Sequence, residues 1–379
     1  MAEIGPIGIA AAMATGAPRA NVTPWQDAAP QGLGMAGIYR KSLLCFLACL
    51  SCAQCTRMPA ETDGGGAAAR SEPTASREIG EPALPLPGSA NLSPAKVALG
   101  RQLFHDTILS GPLRVASCAT CHPLDQGGTL GASQVPAGDG RPAEYDIPTV
   151  FNTAHHFAYF WNGRAPRLEA VVQSSILSEN VLNSSWDVIL THLAASGDYG
   201  DTFNTLYPES GISEAAVENA LVTFLESLST PNAAFDRWLN GESLPERARD
   251  GYALFKAIGC ARCHQGVGIG GNMYASFRGY VEQKATIGNP DNGRFNVTNN
   301  EAHRYQFKVP SLRNVAVTAP YFHDGGVRRL GDAVRAMASH QLGRDLTSGE
   351  VDLIVAFLES LTGWYDERLL GANREQPAS

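Results

Sequence analysis

Charge is scarce in this sequence: only 17% of its 379 residues are Asp, Glu, Lys or Arg, against roughly 25% in an average soluble domain. What charge there is leans acidic, with 37 Asp and Glu to 29 Lys and Arg. The clustered positive surface that nucleic-acid binding demands is therefore lacking. Long apolar runs are lacking too. The stretch 42–53 reads Ser-Leu-Leu-Cys-Phe-Leu-Ala-Cys-Leu-Ser-Cys-Ala and falls short of the ~20 residues of a membrane span. Hydrophobic residues at 44% still provide a sizeable core, which excludes disordered and fibrous classes, and the length suits two domains at ~150 residues each. With 39 Gly and 23 Pro the chain is loop-rich rather than a plain helical bundle.

Cysteine is unevenly spread. Cys45, Cys49, Cys52 and Cys55 crowd into the apolar stretch, which follows Arg40 and Lys41. A basic flank, a short apolar run and small residues make a secretory signal over residues 1–58, of ordinary length if counted from Met35. Cys52 or Cys55 is a candidate lipid acceptor, and a simple cleaved peptide is the alternative. Residues 59–90, rich in Ala, Gly, Glu, Ser and Pro, read as a flexible tether.

The other four cysteines form two pairs. Cys118-Ala-Thr-Cys121-His122 and Cys260-Ala-Arg-Cys263-His264 both carry the C-x-x-C-H signature of c-type haem attachment. Two thiols one helical turn apart can each add to a vinyl group, and the adjacent His turns its imidazole to the iron. A zinc site would need four ligands converging from both pairs and leaves both histidines and the signal unexplained. Two covalently bound haems are the expectation.

The halves repeat. Pro148-Thr-Val-Phe-Asn152 recurs as Pro310-Ser-Leu-Arg-Asn314, with Phe160 and Phe322, Gly163 and Gly325, and Leu168 and Leu330 in identical register. Phe-Leu-Glu-Ser-Leu closes each half, at 224–228 and 357–361. Ser213 caps one helix, with Val217, Leu221, Phe224 and Leu228 on one face. Thr347 and Glu350 make a capping box for the other, which buries Val351, Ile354, Leu358 and Leu361. The fold expected is mainly α: two cytochrome-c-like helical haem domains with long loops, 91–238 and 239–379, related by internal duplication.

Methionine is absent between Met58 and Met273, so the first haem has no thioether to take as its sixth ligand. Met337, in the helical stretch 332–340, can supply one to the haem on His264, and the register puts Ser175 at the matching place in the first half. A Met ligand raises the reduction potential. The second haem is then saturated and carries electrons, while the first is open to a small oxidant. Met273, nine residues after His264, reads as packing against the haem edge.

These strings resemble the bacterial di-haem cytochrome c peroxidase family over about Leu99 to Gly363. The resembling segments are Gly100-Arg-Gln-Leu-Phe104, 118–122, 148–153, Phe160-Trp-Asn-Gly-Arg164 and Leu168-Glu169 in the first half. In the second half they are 260–264, 307–314 and 318–326, with Phe235-Asp-Arg-Trp238 a less specific flank. The resemblance implies a periplasmic enzyme that reduces hydrogen peroxide to water with electrons from a small cytochrome c or a cupredoxin, and a possible homodimer. It makes the haem on His122 peroxidatic and the haem on His264 and Met337 the place where electrons enter. It sets Trp161 between the haems as a relay. It also implies one calcium ion, held by Asp146 and the carbonyls of Thr318 and Pro320; Asp146 stands where the family usually has Asn and keeps a hard oxygen ligand.

Two departures stand out. Residues 123–147 contain no His, and the position of the family's blocking His falls at about Gly138, which implies a first haem open without prior reduction. The family's distal Gln and Glu fall on Val171 and Val181. Peroxide cleavage needs a proton shuttle and a stabiliser of the leaving oxygen, and Glu179, His155 and His156 are the candidates; the alternative for His155 and His156 is to close the sixth position of the first haem. Arg164 is a candidate for the propionate surroundings. Two other readings stay open: a di-haem oxidase acting on a partner protein, where relatives that mature methylamine dehydrogenase carry Tyr and this chain offers Met337, and a non-catalytic electron carrier or redox sensor.

Overall fold

The computed structural model describes residues 80–88, 91–111, 114–131, 145–284, 291–366 and 368–369. The signal region 1–58, most of the tether and the loop around Gly138 lie outside them. Among the described residues the helices are α1 (Pro94–His105), α2 (Cys118–Cys121), α3 (Leu168–Leu177), α4 (Trp186–Ala194), α5 (Gly197–Leu206), α6 (Glu214–Ser227), α7 (Ala234–Leu239), α8 (Glu246–Ile258), α9 (Arg278–Lys284), α10 (Phe295–Thr298), α11 (Leu330–Leu342) and α12 (Ser348–Glu359). Strands are few and short. β1 (Tyr274–Ser276) pairs antiparallel with β2 (Gln306–Lys308), Ala275 opposite Phe307, and β3 (Trp364–Tyr365) with β4 (Arg368–Leu369). The mainly α expectation holds.

Local chemistry sets the helix ends. Ser93 caps α1 with Pro94 at its first position, Ser185 caps α4, and Ser213 accepts from the Ala216 amide at the head of α6. Thr347 and Glu350 form the expected capping box on α12. Gly259 and Gly343, both left-handed, stop α8 and α11.

Two buried clusters form the core. In the first, α1 crosses α6 and is flanked by α3, α4 and α5, burying Leu103, Phe104, Ile176, Ile189, Phe203 and Phe224. In the second, α8 crosses α12 beside α7, burying Phe235, Tyr252, Phe255, Phe357 and Leu358. Each fully buried Leu or Phe contributes about 1.5–3 kcal/mol. Both crossings are tight for the same reason. A Cβ on Gly100 would fall on the Ala220 carbonyl, and one on Gly251 on the Leu353 carbonyl.

The two Pro-x-x-x-Asn segments have matching backbones. Asn152 and Asn314 are both left-handed, at φ 61° and 62°, as are Phe160 and Phe322. Tyr159 bridges Ala165 as Tyr321 bridges Val327. Both asparagines are buried and meet at Thr230. Its hydroxyl accepts from Asn152 Nδ2 and Asn314 Nδ2, each at 2.9 Å, and its amide donates to Asn152 Oδ1 at 2.9 Å. The asparagine amides donate to Leu228 and Leu361 carbonyls at the ends of α6 and α12.

The tether expected over 59–90 is corrected at its end. Residues 81–87 form an extended strap on the second cluster, with Ala83 and Leu86 buried. Leu84 N donates to Gly266 O and Gly266 N to Pro82 O. Glu81 receives the Tyr252 hydroxyl and pairs with Lys256. Gly and Pro content misled here, because backbone groups rather than side chains carry most of the attachment. Beneath the strap lies a buried ion pair: Arg313 Nη1 stands 2.6 Å from Asp236 Oδ1, Arg313 Nη2 donates to Leu84 O, and Leu86 N to Asp236 Oδ1.

Removing one partner of such a pair leaves an uncompensated buried charge. Asp236→Ala is expected to cost about 3–5 kcal/mol, seen as a lower denaturation midpoint, with the charge-deleting Asp236→Asn milder because it still accepts from Leu86 N.

Candidate haem sites

α2 is a single turn, opened where Ser117 N donates to Thr120 Oγ1 at 3.0 Å, and it sets Cys118 and Cys121 on the same side of the backbone. Both thiols are unbonded and half-buried. Burial, with the neighbouring Cys121, pushes the Cys118 thiol up to about 12. His122 directs Nδ1 at the Gly128 carbonyl, 3.0 Å away. A ring nitrogen facing a carbonyl carries the proton, so Nε2 presents a lone pair. Burial holds this imidazole below its usual range, hence neutral, as an iron ligand must be.

The second motif repeats the arrangement on a 3-10 turn, Cys260–Arg262. His264 is buried, its Nδ1 faces the Ile269 carbonyl at 3.3 Å, and burial lowers it to about 4. Cys260 is pushed up to about 11, chiefly by burial. Among the described residues no group of three or more Asp, Glu, His or Cys comes together as a four-ligand zinc site would require. Both constellations fit a covalently attached haem.

Met337 lies in α11. Leu330 and Val334 of that helix pack on the cluster that also receives Cys260, and Met337 follows them at helical spacing, on the same face. Ser175 lies near the end of α3, where its carbonyl accepts from Leu182 N.

Trp161 stands where the halves meet. Its indole donates to the Asp146 carbonyl at 2.8 Å, and its own carbonyl accepts from Lys308 N at 2.8 Å. Arg294 reaches the Asn162 and Gly163 carbonyls at 3.4 Å and Tyr274 Oη at 2.6 Å, clamping this loop from the second half. Arg164 stacks on the Phe160 ring, 3.4 Å from its centroid. Lys308 and the Arg294 clamp are functional candidates that motif reading missed. The signal for Lys308 was its place between Phe307 and Val309 in a run buried on both sides.

Asp146 is buried, and its amide donates to the His323 carbonyl at 2.8 Å. A Cβ on Gly325 would lie 3.2 Å from Pro320 Cγ and 3.4 Å from Asp146 Oδ1. Gly325 thus packs between Asp146 and the Pro320 ring, which brings two of the three residues named for calcium to one turn.

The peroxide side is less enclosed. Glu179 is exposed on the turn after α3, and Val181, 49% exposed, follows it. Val171 is half-buried on α3. His155 lines a cavity of about 350 Å³ with Glu226, Pro87 and Leu92; burial and Arg313 lower its pKa. His156 turns away from it, onto Gly271 of the second half.

Residues 94–244 match the profile described as di-haem cytochrome c peroxidase. The cytochrome c peroxidase Ccp of Escherichia coli K12 is 38% identical over 78% of this chain and 64% of its own length, so the chain spans less than two thirds of that relative. The cytochrome c551 peroxidase of Nitrosomonas europaea is 35% identical over 75% of this chain and 84% of its own. Among solved structures, a MauG-like protein associated with microbial copper homeostasis superposes with a TM-score of 0.63 at 25% identity, over 76% of this chain and 94% of that one.

Replacing Cys260 and Cys263 together by Ala is expected to halve the haem bound per chain, measured as the pyridine adduct, and to leave the His122 site loaded.

Proposed function

This chain belongs to the di-haem cytochrome c peroxidase family, and from that premise we propose that it reduces hydrogen peroxide to water in the periplasm, drawing electrons from a small cytochrome c or a cupredoxin. The reaction is balanced as one peroxide, two electrons and two protons to two waters. When bound, the haem on His122 supplies the iron at which the O–O bond breaks, and the haem on His264 holds and passes on electrons. The observation that carries this reading is the pairing of two attachment motifs, each with a neutral histidine fixed by a backbone carbonyl.

His122 and His264 each offer Nε2 to iron while Nδ1 stays bonded. Met337 would supply the sixth ligand of the second haem and so keep oxidant off its iron. Trp161, bonded to both halves, is the aromatic group through which electrons cross. Glu179 takes the proton from the near oxygen of peroxide and returns it to the far one. Asp146, with the carbonyls of Thr318 and Pro320, would hold a calcium ion, and the Asp146 carbonyl accepts from the Trp161 indole. The segments 91–238 and 239–379 are domains descended from one ancestral haem unit, the export signal over 1–58 delivers the chain, with Cys52 or Cys55 as a lipid acceptor, and two copies pair. Among the described residues no helix is long and apolar enough to cross a membrane.

The aliphatic Val171 and Val181 favour a second reading, a di-haem oxidase that acts on a partner protein, where no distal acid need serve a small oxidant. Peroxide consumption coupled to reduced donor, two electrons per peroxide, separates the two; an oxidised partner without donor turnover overturns the first.

Low-temperature EPR of the oxidised protein is expected to show a high-spin ferric signal that one equivalent of peroxide removes. Two low-spin signals indifferent to peroxide would contradict an open first site. Glu179→Gln is expected to lower turnover by an order of magnitude or more while leaving that signal in place. Trp161→Phe is expected to slow electron arrival and to spare peroxide binding.

A further inference from the structure

His156 leaves the first half and lies on a glycine turn of the second. A Cβ on Gly271 would stand 2.6 Å from His156 Cδ2 and 3.2 Å from Nε2. That turn is held on both sides, Gly271 N donating to Val309 O at 2.7 Å and Phe157 N to Gly271 O at 3.2 Å. Its other residue, Gly270, backs onto the axial histidine: a Cβ there would be 3.3 Å from His264 Nδ1.

His156 Nε2 is buried and has no hydrogen-bond partner. Beside it is Lys308, only 8% exposed. Burial alone lowers the Lys308 ammonium to about 8, with no carboxylate acting on it. Burial, then Lys308, then His155 push His156 down to about 3; the Tyr159 ring is its other titratable neighbour, 6.2 Å between centroids.

A buried imidazole nitrogen with no acceptor, next to a buried ammonium whose charge it feels, is a costly arrangement unless an anion joins them. Haem brings carboxylates of its own, its two propionates, and the turn that receives His156 is the one that cups His264. We propose that His156 Nε2 and the Lys308 ammonium bind a propionate of the haem attached at Cys260 and Cys263. His156 thus acts from the first domain on the cofactor of the second. The inference rests on the two-haem reading above. Lys308 N also donates to the Trp161 carbonyl, so the residue that fixes the propionate fixes the relay candidate as well.

A bare propionate carboxylate stabilises the extra positive charge of the ferric state, and a cation or hydrogen-bond donor paired with it offsets that stabilisation, so stripping the pair lowers the potential. The test is potentiometric titration of the holoprotein, resolving the two haems by absorbance and EPR. His156→Phe and Lys308→Met are expected to shift the second haem to lower potential and leave the first unmoved. His156→Asn, which keeps a donor, and Lys308→Arg, which keeps the charge, are expected to restore most of the shift. Unmoved potentials in the Phe and Met variants, or a shift confined to the first haem, overturn the proposal. So does a parent potential that follows added phosphate, which would put a solution anion in the pocket. Haem content is measured alongside. One haem per chain in the parent would instead fail the two-haem reading itself. If Phe and Met variants bind no second haem, the Asn and Arg variants decide: a parent-like potential in both supports the site, and loss in both assigns the pair a structural role only.

Discussion

Asn152, Thr230 and Asn314 share one buried set of hydrogen bonds, and the relation of the two halves hangs on it. Each asparagine holds a left-handed backbone that turns its segment from the haem loop toward the next helix. Each also satisfies the end of its own half's final helix through Leu228 or Leu361. Buried amides left unpaired cost about 1–3 kcal/mol apiece, so neither half can slide without orphaning several at once. Thr230 belongs to the segment joining the halves, and it can be shared between two equivalent asparagines because its hydroxyl accepts from both.

That register is what puts Trp161 at the seam. The loop bearing it is bonded to Lys308, Arg294 and Tyr274 of the second half and to Asp146 of the first, whose amide is tied to His323. The Trp161 loop is thus fixed from both sides, its indole bonded to the Asp146 carbonyl and its own carbonyl to the Lys308 amide. The calcium candidate lies one bond from the indole, which makes Asp146 a support for Trp161 as well as a ligand candidate.

Much of this was legible in the sequence because the informative signals are local. C-x-x-C-H needs one turn of backbone, and Thr347 with Glu350, or Ser213 ahead of Val217, describes a helix end without reference to anything distant. The repeat placed Asn152 opposite Asn314 but not their meeting at Thr230, since Thr230 has no counterpart in the pattern. Long-range packing hid the rest. His156 looked like a companion of the first haem because it follows the first motif, and only the fold carries it to Gly271. Lys308 looked like an ordinary cation in a short strand. The strap at 81–87 looked like tether because it is held by its backbone, and Gly and Pro content says nothing of where carbonyls go.

The strap has a bearing on how the chain comes to be folded. Leu84 O meets Arg313 across 229 positions of sequence, and Leu86 N meets Asp236 across 150. A segment near the beginning thus has its docking site made by the part synthesised last. Domains usually fold as they emerge, N-terminal first, yet here the leading segment must wait for the trailing half, and the closure entropy of so long a loop is settled only at the end. The loop of the second haem is sealed by that late event, through Gly266 and Arg313. Its completion therefore requires that the chain as far as Arg313 is already in place.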